Sequence, residues 1–303
     1  MKNKFILFLL FLITIYFIVD TNSFIININQ NTNFFLYKVF PPLFFFFIIT
    51  DLLISYNFIK VINRLLQPLL VKVFNINQNS SFIFLMSLIS GFPSGAKNIR
   101  NLYDKKQISI NDANNLITYT HFSNIAFILG TINDILNNQK LTIIILISHF
   151  ISNFIIAYLI KPKYYEDKTY SINNNKSFNT ILSTSIINSI KTLLIIYGTM
   201  IFFSSFAHII NNILPISNYL KTVITGFLDL SSGMYSLKNI DISMFNKGLL
   251  ALSFISFGSL TVHMQVKIIL ENTNIKYNNF LLGRISQVGL SILLYLLIFW
   301  CLY

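Results

Sequence analysis

The sequence predicts an all-α polytopic membrane protein, with about seven transmembrane helices plus two re-entrant hairpins in inverted repeats. Three observations predict it. Charged residues make up 11% of the chain and apolar ones 54%, whereas a soluble domain carries about 25% charged residues. The apolar residues gather into runs of membrane-crossing length, giving a mean hydropathy of +0.65. Two shorter, broken apolar segments recur about 135 residues apart.

Seven long apolar segments read as spans: 5–19, 39–59, 111–133, 141–160, 181–210, 246–270 and 279–302. The first follows Lys2 and Lys4 and has no small-residue cleavage site after it, so it reads as an uncleaved anchor. Two shorter segments, near 81–92 and 222–233, do not fit as spans. The run "FIFLMSLIS", Phe82 to Ser90, would form a helix of roughly 14 Å, about half of a hydrocarbon core, before it meets "GFPSGAK". Such a segment enters the bilayer and turns back.

Positive residues retained on the cytoplasmic side set the orientation. With the amino terminus inside and both short segments re-entrant, sixteen Lys and Arg collect inside, among them Lys97, Arg100 and Arg284, against five outside, including Lys38 and Lys238. Full crossings at both short segments would give fourteen against seven. The net charge of +12 sits in short loops and forms no basic stripe, so it reports topology and not a nucleic-acid partner. The single cysteine excludes an intrachain disulfide, and the four histidines fit no close ligand spacing, so no metal and no cofactor is expected.

The re-entrant arrangement exposes a repeat. "SGF" at Ser90 matches "TGF" at Thr225, and "ISINDANNLITYTHFSNIAF" from Ile108 matches "ISMFNKGLLALSFISFGSLT" from Ile242, at offsets of 135 and 134. The chain then divides into an N-terminal membrane anchor at 1–33, repeat one at 34–160, a linker at 161–177 and repeat two at 178–303. The first hairpin enters from inside and the second from outside. Inverted repeats with paired interrupted segments point to a transporter whose site lies between the halves.

Bare backbone at membrane depth is tolerable only against protein or a watery cavity. The break in the first hairpin would offer free amide N–H groups and expose Ser90, Ser94 and Asn98 to a ligand, or else it is a kink at a helix contact. In the second, "TGFLDLSSG" places Asp229, Ser231, Ser232 and Gly233 at the equivalent turn. An acid at membrane depth costs about 2.5–3.5 kcal/mol on insertion scales and is a functional candidate by default, its alternative being an exposed loop aspartate. Polar stripes follow each hairpin: Thr120, Ser123 and Asn124 in one, Ser253, Ser256, Ser259 and His263 in the other, with Thr261 and Gln265 alongside. Such stripes either bind a polar solute or hold helices together. Asp51, alone in "FFFFIITDLLIS", either binds a proton or cation or pairs with Lys191 or Arg284. His149 and His208 read as helix-contact residues, and Lys97 and Arg100 as snorkelling anchors or guides for an anionic solute.

The ordered set "VFPPLFFFFIITDLL", "LLQPLL", "SGFPSGAK", "THFSNIAFILGT", "TGFLDLSSG", "SFGSLTVHMQV" and "LLGRISQ" resembles the nucleoside-recognition, or Gate, domain family, and most nearly its sporulation membrane-protein branch. The resemblance runs from about residue 38 to 290. It implies the gate-region fold of concentrative nucleoside carriers, a multi-pass place in a bacterial cell membrane or the outer forespore membrane, and passage of dipicolinic acid. Carried over by position, the implied solute-binding residues are Ser90, Gly91, Pro93, Gly95, Lys97, Asp229, Ser256, Gly258, His263 and Gln265; Ser94, Ser123, Asn124, Ser231 and Ser232 join them from the reading of the residues.

The expected function is a permease moving a small polar or anionic solute by alternating access, and not an enzyme, since neither HExxH nor clustered carboxylates occur. A nucleoside carrier and a structural or assembly protein of the forespore membrane are the alternatives. The expected partners are the lipid bilayer and a small-molecule solute, with a homo-oligomer left open and no nucleic acid.

Overall fold

The structure, a computed structural model, describes residues 2–56, 58, 70–161 and 177–302. The "LLQPLL" motif up to residue 69, Lys60, Arg64 and most of the linker at 161–177 lie outside the described residues. Among those described, secondary structure is helical throughout.

Five helices are long and apolar enough to cross a membrane: Thr21–Ser55, Gln139–Ile160, Phe178–Ile213, Met244–Ile269 and Tyr277–Leu302. The first is longer than the expected span at 39–59. After α1 (Lys2–Val19), Asp20 caps α2 (Thr21–Phe34), which runs through a π-helical turn, Phe35–Val39, into α3 (Phe40–Ser55). The asparagines of α2 do not stop it, because Asn31 turns inward and bonds back to the Asn27 carbonyl, while Thr32 meets Tyr197 at 2.9 Å.

Helices α4 (Gln78–Ser90) and α5 (Ser94–Asp104) form the first hairpin; Asn77 caps its start and Gly91, at φ +73°, ends α4. Then α6 (Ile110–Tyr119) starts from a capping box between Ser109 and Asp112. The expected span at 111–133 is not continuous: residues 120–124 are non-helical, followed by a π-helical turn, Phe127–Ile132, and the short α7 (Asn133–Leu136). Helix α8 (Gln139–Ile160) crosses back, and α9 (Phe178–Ile213) opens the second half.

The second hairpin is α10 (Asn218–Leu228) and α11 (Leu230–Asn239), with Asp229 alone between them. The expected span at 246–270 is also divided, into α12 (Met244–Phe257) and α13 (Ser259–Ile269), because Gly258 adopts φ +87°. Helix α14 (Tyr277–Leu302) closes the chain.

The two hairpins pack at opposite ends of one helix pair. Helices α8 and α14 lie antiparallel, so Lys140 at the start of α8 reaches the Leu302 carbonyl at the end of α14. One core joins Phe84, Ile99 and Leu116 of the first hairpin and α6 to Ile156 of α8 and Phe280 of α14. The other joins Met234, Leu237 and Phe254 of the second hairpin and α12 to Ile144 of α8 and Tyr295 of α14. Along α8 these attachments are 12 residues apart, roughly 18 Å, which places the hairpin bases on opposite sides of the molecule.

In lipid, apolar burial drives helix association weakly, so close contact and hydrogen bonds must hold the elements. Glycines supply the contact at two crossings. A Cβ on Gly233 would overlap the Gly226 Cα across the second hairpin, and one on Gly283 would overlap the Thr118 carbonyl where α14 crosses α6.

Candidate functional site

The irregular backbone at the first tip is matched by irregular backbone opposite it. The Phe92 N–H donates to the Phe122 carbonyl at 2.8 Å, and a Cβ on Gly91 would lie 2.7 Å from the Asn124 nitrogen. Gly95 packs so closely on the Thr120 carbonyl that a side chain would overlap it. Ser90 and Ser94 bond to each other, Ser90 also donates to the Met86 carbonyl at 2.6 Å, and Ser94 donates to the Gly91 carbonyl. These hydroxyls therefore build the turn.

The non-helical segment 120–124 is held from three sides. His149 Nε2 accepts the Ser123 N–H at 2.8 Å, so its Nδ1 donates to Ser256 Oγ at 3.1 Å. Asn153 donates to the His121 carbonyl at 2.7 Å. Arg284, fully buried, donates to the carbonyls of Thr118 at 2.9 Å and His121 at 3.1 Å, to Asn153 Oδ1 at 3.3 Å and to Gln287. Unpaired carbonyls and a partial negative charge end every helix, and a guanidinium on the end of α6 answers both without a carboxylate. Arg284 is thus no cytoplasmic anchor, contrary to its place in the charge count.

At the second tip Asp229 is the N-cap of α11 and is 1% exposed. Its Oδ2 accepts from Ser231 Oγ at 2.7 Å and from the N–H and Oγ of Ser232, each at 2.8 Å, while Oδ1 accepts from Thr261 Oγ1 at 2.9 Å. The carboxylate is held by four donors, one of them the Ser232 N–H at the helix N-terminus, with no cation beside it among the described residues. Ser259 ties the break at Gly258 to the same hairpin by donating to the Gly226 carbonyl.

Both tips open on one cavity of about 340 Å³. Of the expected residues, Pro93, Ser123, Asn124, Asp229, Ser231 and Gln265 line it, coming from the two hairpin tips, the non-helical segment 120–124 and α13. Phe34, Leu43, Phe92, Phe127, Ile196 and Met200 give it largely apolar walls. Gln265 is 3% exposed and makes no hydrogen bond to a described residue, so its amide is directed at the cavity.

The other expected residues lie elsewhere. Ser90, Gly91, Ser94 and Gly95 support the tip from behind, and Ser232 supports Asp229. Asn98 is buried with its amide nitrogen unpaired. Ser256 serves His149, and Gly258 packs against His121. His263 lies between Tyr277 OH at 2.7 Å and the Phe257 carbonyl at 3.0 Å, where it completes the end of α12. Lys97 does not face the cavity: its ammonium is 3.2 Å from Asp51 Oδ2 and 4.4 Å from the Phe47 ring centroid. Asp51 therefore pairs neither with Lys191 nor with Arg284. His149 and His208 are helix contacts, His208 bonding Ser23 at 2.8 Å.

Two further residues, Lys38 and Thr131, line the cavity. Lys38 lines the cavity because the π-helical turn re-aims that face of the α2–α3 helix, and Thr131 does so from the second such turn. Arg284 carried a usable signal, an arginine eight residues into a 26-residue apolar helix. Among the described residues no three His, Cys, Asp or Glu side chains come together as a metal site.

No family model matches the chain, and no solved structure matches it. The chain is similar to the sporulation integral membrane protein YlbJ of Bacillus subtilis (strain 168), at 25% identity over 86% of this chain and 74% of that protein. With this similarity and its helices long enough to cross a bilayer, the chain is a multi-pass integral membrane protein.

Proposed function

We propose that the protein is a permease which binds a small polar or anionic solute in the cavity between the hairpin tips and moves it by alternating access. One observation carries the reading: both tips, from hairpins based at opposite ends of α8 and α14, meet at the same cavity. Displacing one hairpin would open that cavity to one side of the membrane, and displacing the other would open it to the opposite side. A volume near 340 Å³ with apolar walls and a few polar groups suits a small ring-bearing solute.

The cavity chemistry narrows the solute. Lys38 is exposed at the cavity and has no hydrogen-bond or ion-pair partner among the described residues. It supplies a cation for a carboxylate, while Phe92 and Phe127 offer aromatic surface and Gln265 a free amide. Dipicolinate, an aromatic dicarboxylate suggested by the family resemblance, has that combination of groups, and the outer forespore membrane is where a sporulating cell would use it. The chemistry is carriage of an unchanged solute, with no catalytic step.

Uptake of labelled dipicolinate and labelled uridine into proteoliposomes tests this. The expected result is saturable dipicolinate uptake that falls in Gln265→Leu and needs a higher solute concentration in Lys38→Met. Preference for uridine, unaffected by Lys38→Met, would instead favour a nucleoside carrier. No uptake of either by folded protein would overturn the permease reading and leave a structural role in the membrane.

A further inference from the structure

Resting on the permease reading, a second site follows from the charges that the cavity does not use. Asp51 and Lys97 form an ion pair at 3.2 Å, with side chains 9% and 11% exposed. Asp51 is on α3, which also forms a cavity wall at Leu43; Lys97 is on the first turn of α5, just past the tip residue Pro93. Leu43 and Asp51 are eight residues apart, roughly 12 Å along the helix. The pair therefore ties the first hairpin to α3 about two turns from the cavity wall at Leu43, on the side of the hairpin base.

The surroundings leave each charge dependent on the other. Asn101 donates to Asp51 Oδ1 at 3.4 Å, and Phe47, one turn before Asp51, lies under the Lys97 ammonium. Among the described residues, Lys105 at the end of α5 also acts on Asp51. Helix α4 has no titratable side chain. On α9, Lys191 is exposed, and His208 is engaged by Ser23 and Asn212. No second carboxylate bonds Lys97 among the described residues.

We propose that Asp51 is the proton-binding site of the carrier and that its pairing with Lys97 is the latch which the proton releases. A proton from water adds to the Asp51 carboxylate to give a neutral acid, and Lys97 keeps its own protons and its charge. With the acid neutral, Lys97 is a buried cation without a counter-ion. The state in which the hairpin swings away and the ammonium meets water then gains in population. Deprotonation restores the pair and the closed hairpin. Solute movement past this tip is in that way tied to proton movement.

The test uses the full chain in proteoliposomes, with labelled dipicolinate as solute. Two assays run side by side: net uptake with and without an inward proton gradient, and solute exchange at equal pH. Wild type is expected to show gradient-stimulated uptake that a protonophore abolishes. Asp51→Asn, and the double variant Asp51→Asn/Lys97→Gln, are expected to keep exchange while losing the stimulation. The double variant matters because it removes both charges together, so a merely structural pair predicts that it recovers wild-type behaviour, stimulation included. That recovery would overturn the proposal, as would wild-type uptake indifferent to the gradient. The second outcome leaves the permease reading standing, whereas absence of both uptake and exchange would sink both.

Discussion

The guanidinium of Arg284 donates to the Thr118 carbonyl at 2.9 Å, and the glycine before it, Gly283, lets α14 approach that same carbonyl closely enough for the bond to form. The Gly283–Arg284 pair thereby caps α6 inside the protein and fixes where the non-helical segment 120–124 begins. Replacing Arg284 with Met leaves the Thr118 carbonyl and two amide oxygens without a donor. Each buried loss of this kind costs about 1–3 kcal/mol, so a destabilisation on the order of 3 kcal/mol is expected. Thermal unfolding in detergent would read it as a lower midpoint, with Arg284→Lys recovering only part, because an ammonium cannot reproduce the fork. An unchanged midpoint for Arg284→Met would refute the capping role.

Glycines separate by what faces them. At Gly226 a methyl group would run into the Phe254 ring, and Gly233 already lies against its Cα, whereas at Gly289 nothing lies within 4 Å. Gly226→Ala should therefore lose about 1–3 kcal/mol by overpacking. Gly289→Ala should be neutral or gain up to about 1 kcal/mol from better helix propensity. Equal effects at the two positions, measured by the same melts, would contradict the packing of the second hairpin.

Opposite attachment of the hairpins makes a topological prediction. Lys105 follows α5 at the base of the first hairpin, and Lys238 is near the end of α11 at the base of the second. The lone cysteine, Cys301, can be replaced by Ser to give a background without thiols. In that background a membrane-impermeant thiol reagent should label Lys105→Cys and Lys238→Cys from different sides. Labelling of both from one side would exclude the arrangement.

The sequence made the outline of this fold readable where the bilayer imposes a length. Helices α8, α9 and α14 stand out as long apolar runs, and the hairpin tips stand out because Gly91, Pro93, Gly95 and Asp229 interrupt apolar stretches too short to cross. The break at 120–124 has no such marker. Neither Gly nor Pro occurs in "THFSN", and partners distant in sequence hold it open: Phe92, His149, Asn153 and Arg284. Lys97 shows the same limit in the site. Its partner Asp51 is 46 residues away, so its local surroundings pointed to an anchor or a solute ligand and not to an ion pair with α3. Lys38 was hidden for a geometric reason: one π-helical turn rotates the face on which it sits.

Thr131 offers direct access to the cavity between the tips, the solute's proposed place in transport. Thr131 lines the cavity and makes no hydrogen bond through its side chain to a described residue, so a cysteine there should be tolerated. In the Cys301→Ser background, the rate of thiol labelling at Thr131→Cys would be followed as dipicolinate is titrated in, with Lys238→Cys as the remote control. Labelling at Thr131→Cys is expected to slow with the same concentration dependence as uptake, with no change at Lys238→Cys. Labelling at Thr131→Cys that stays constant while the solute saturates transport would contradict it.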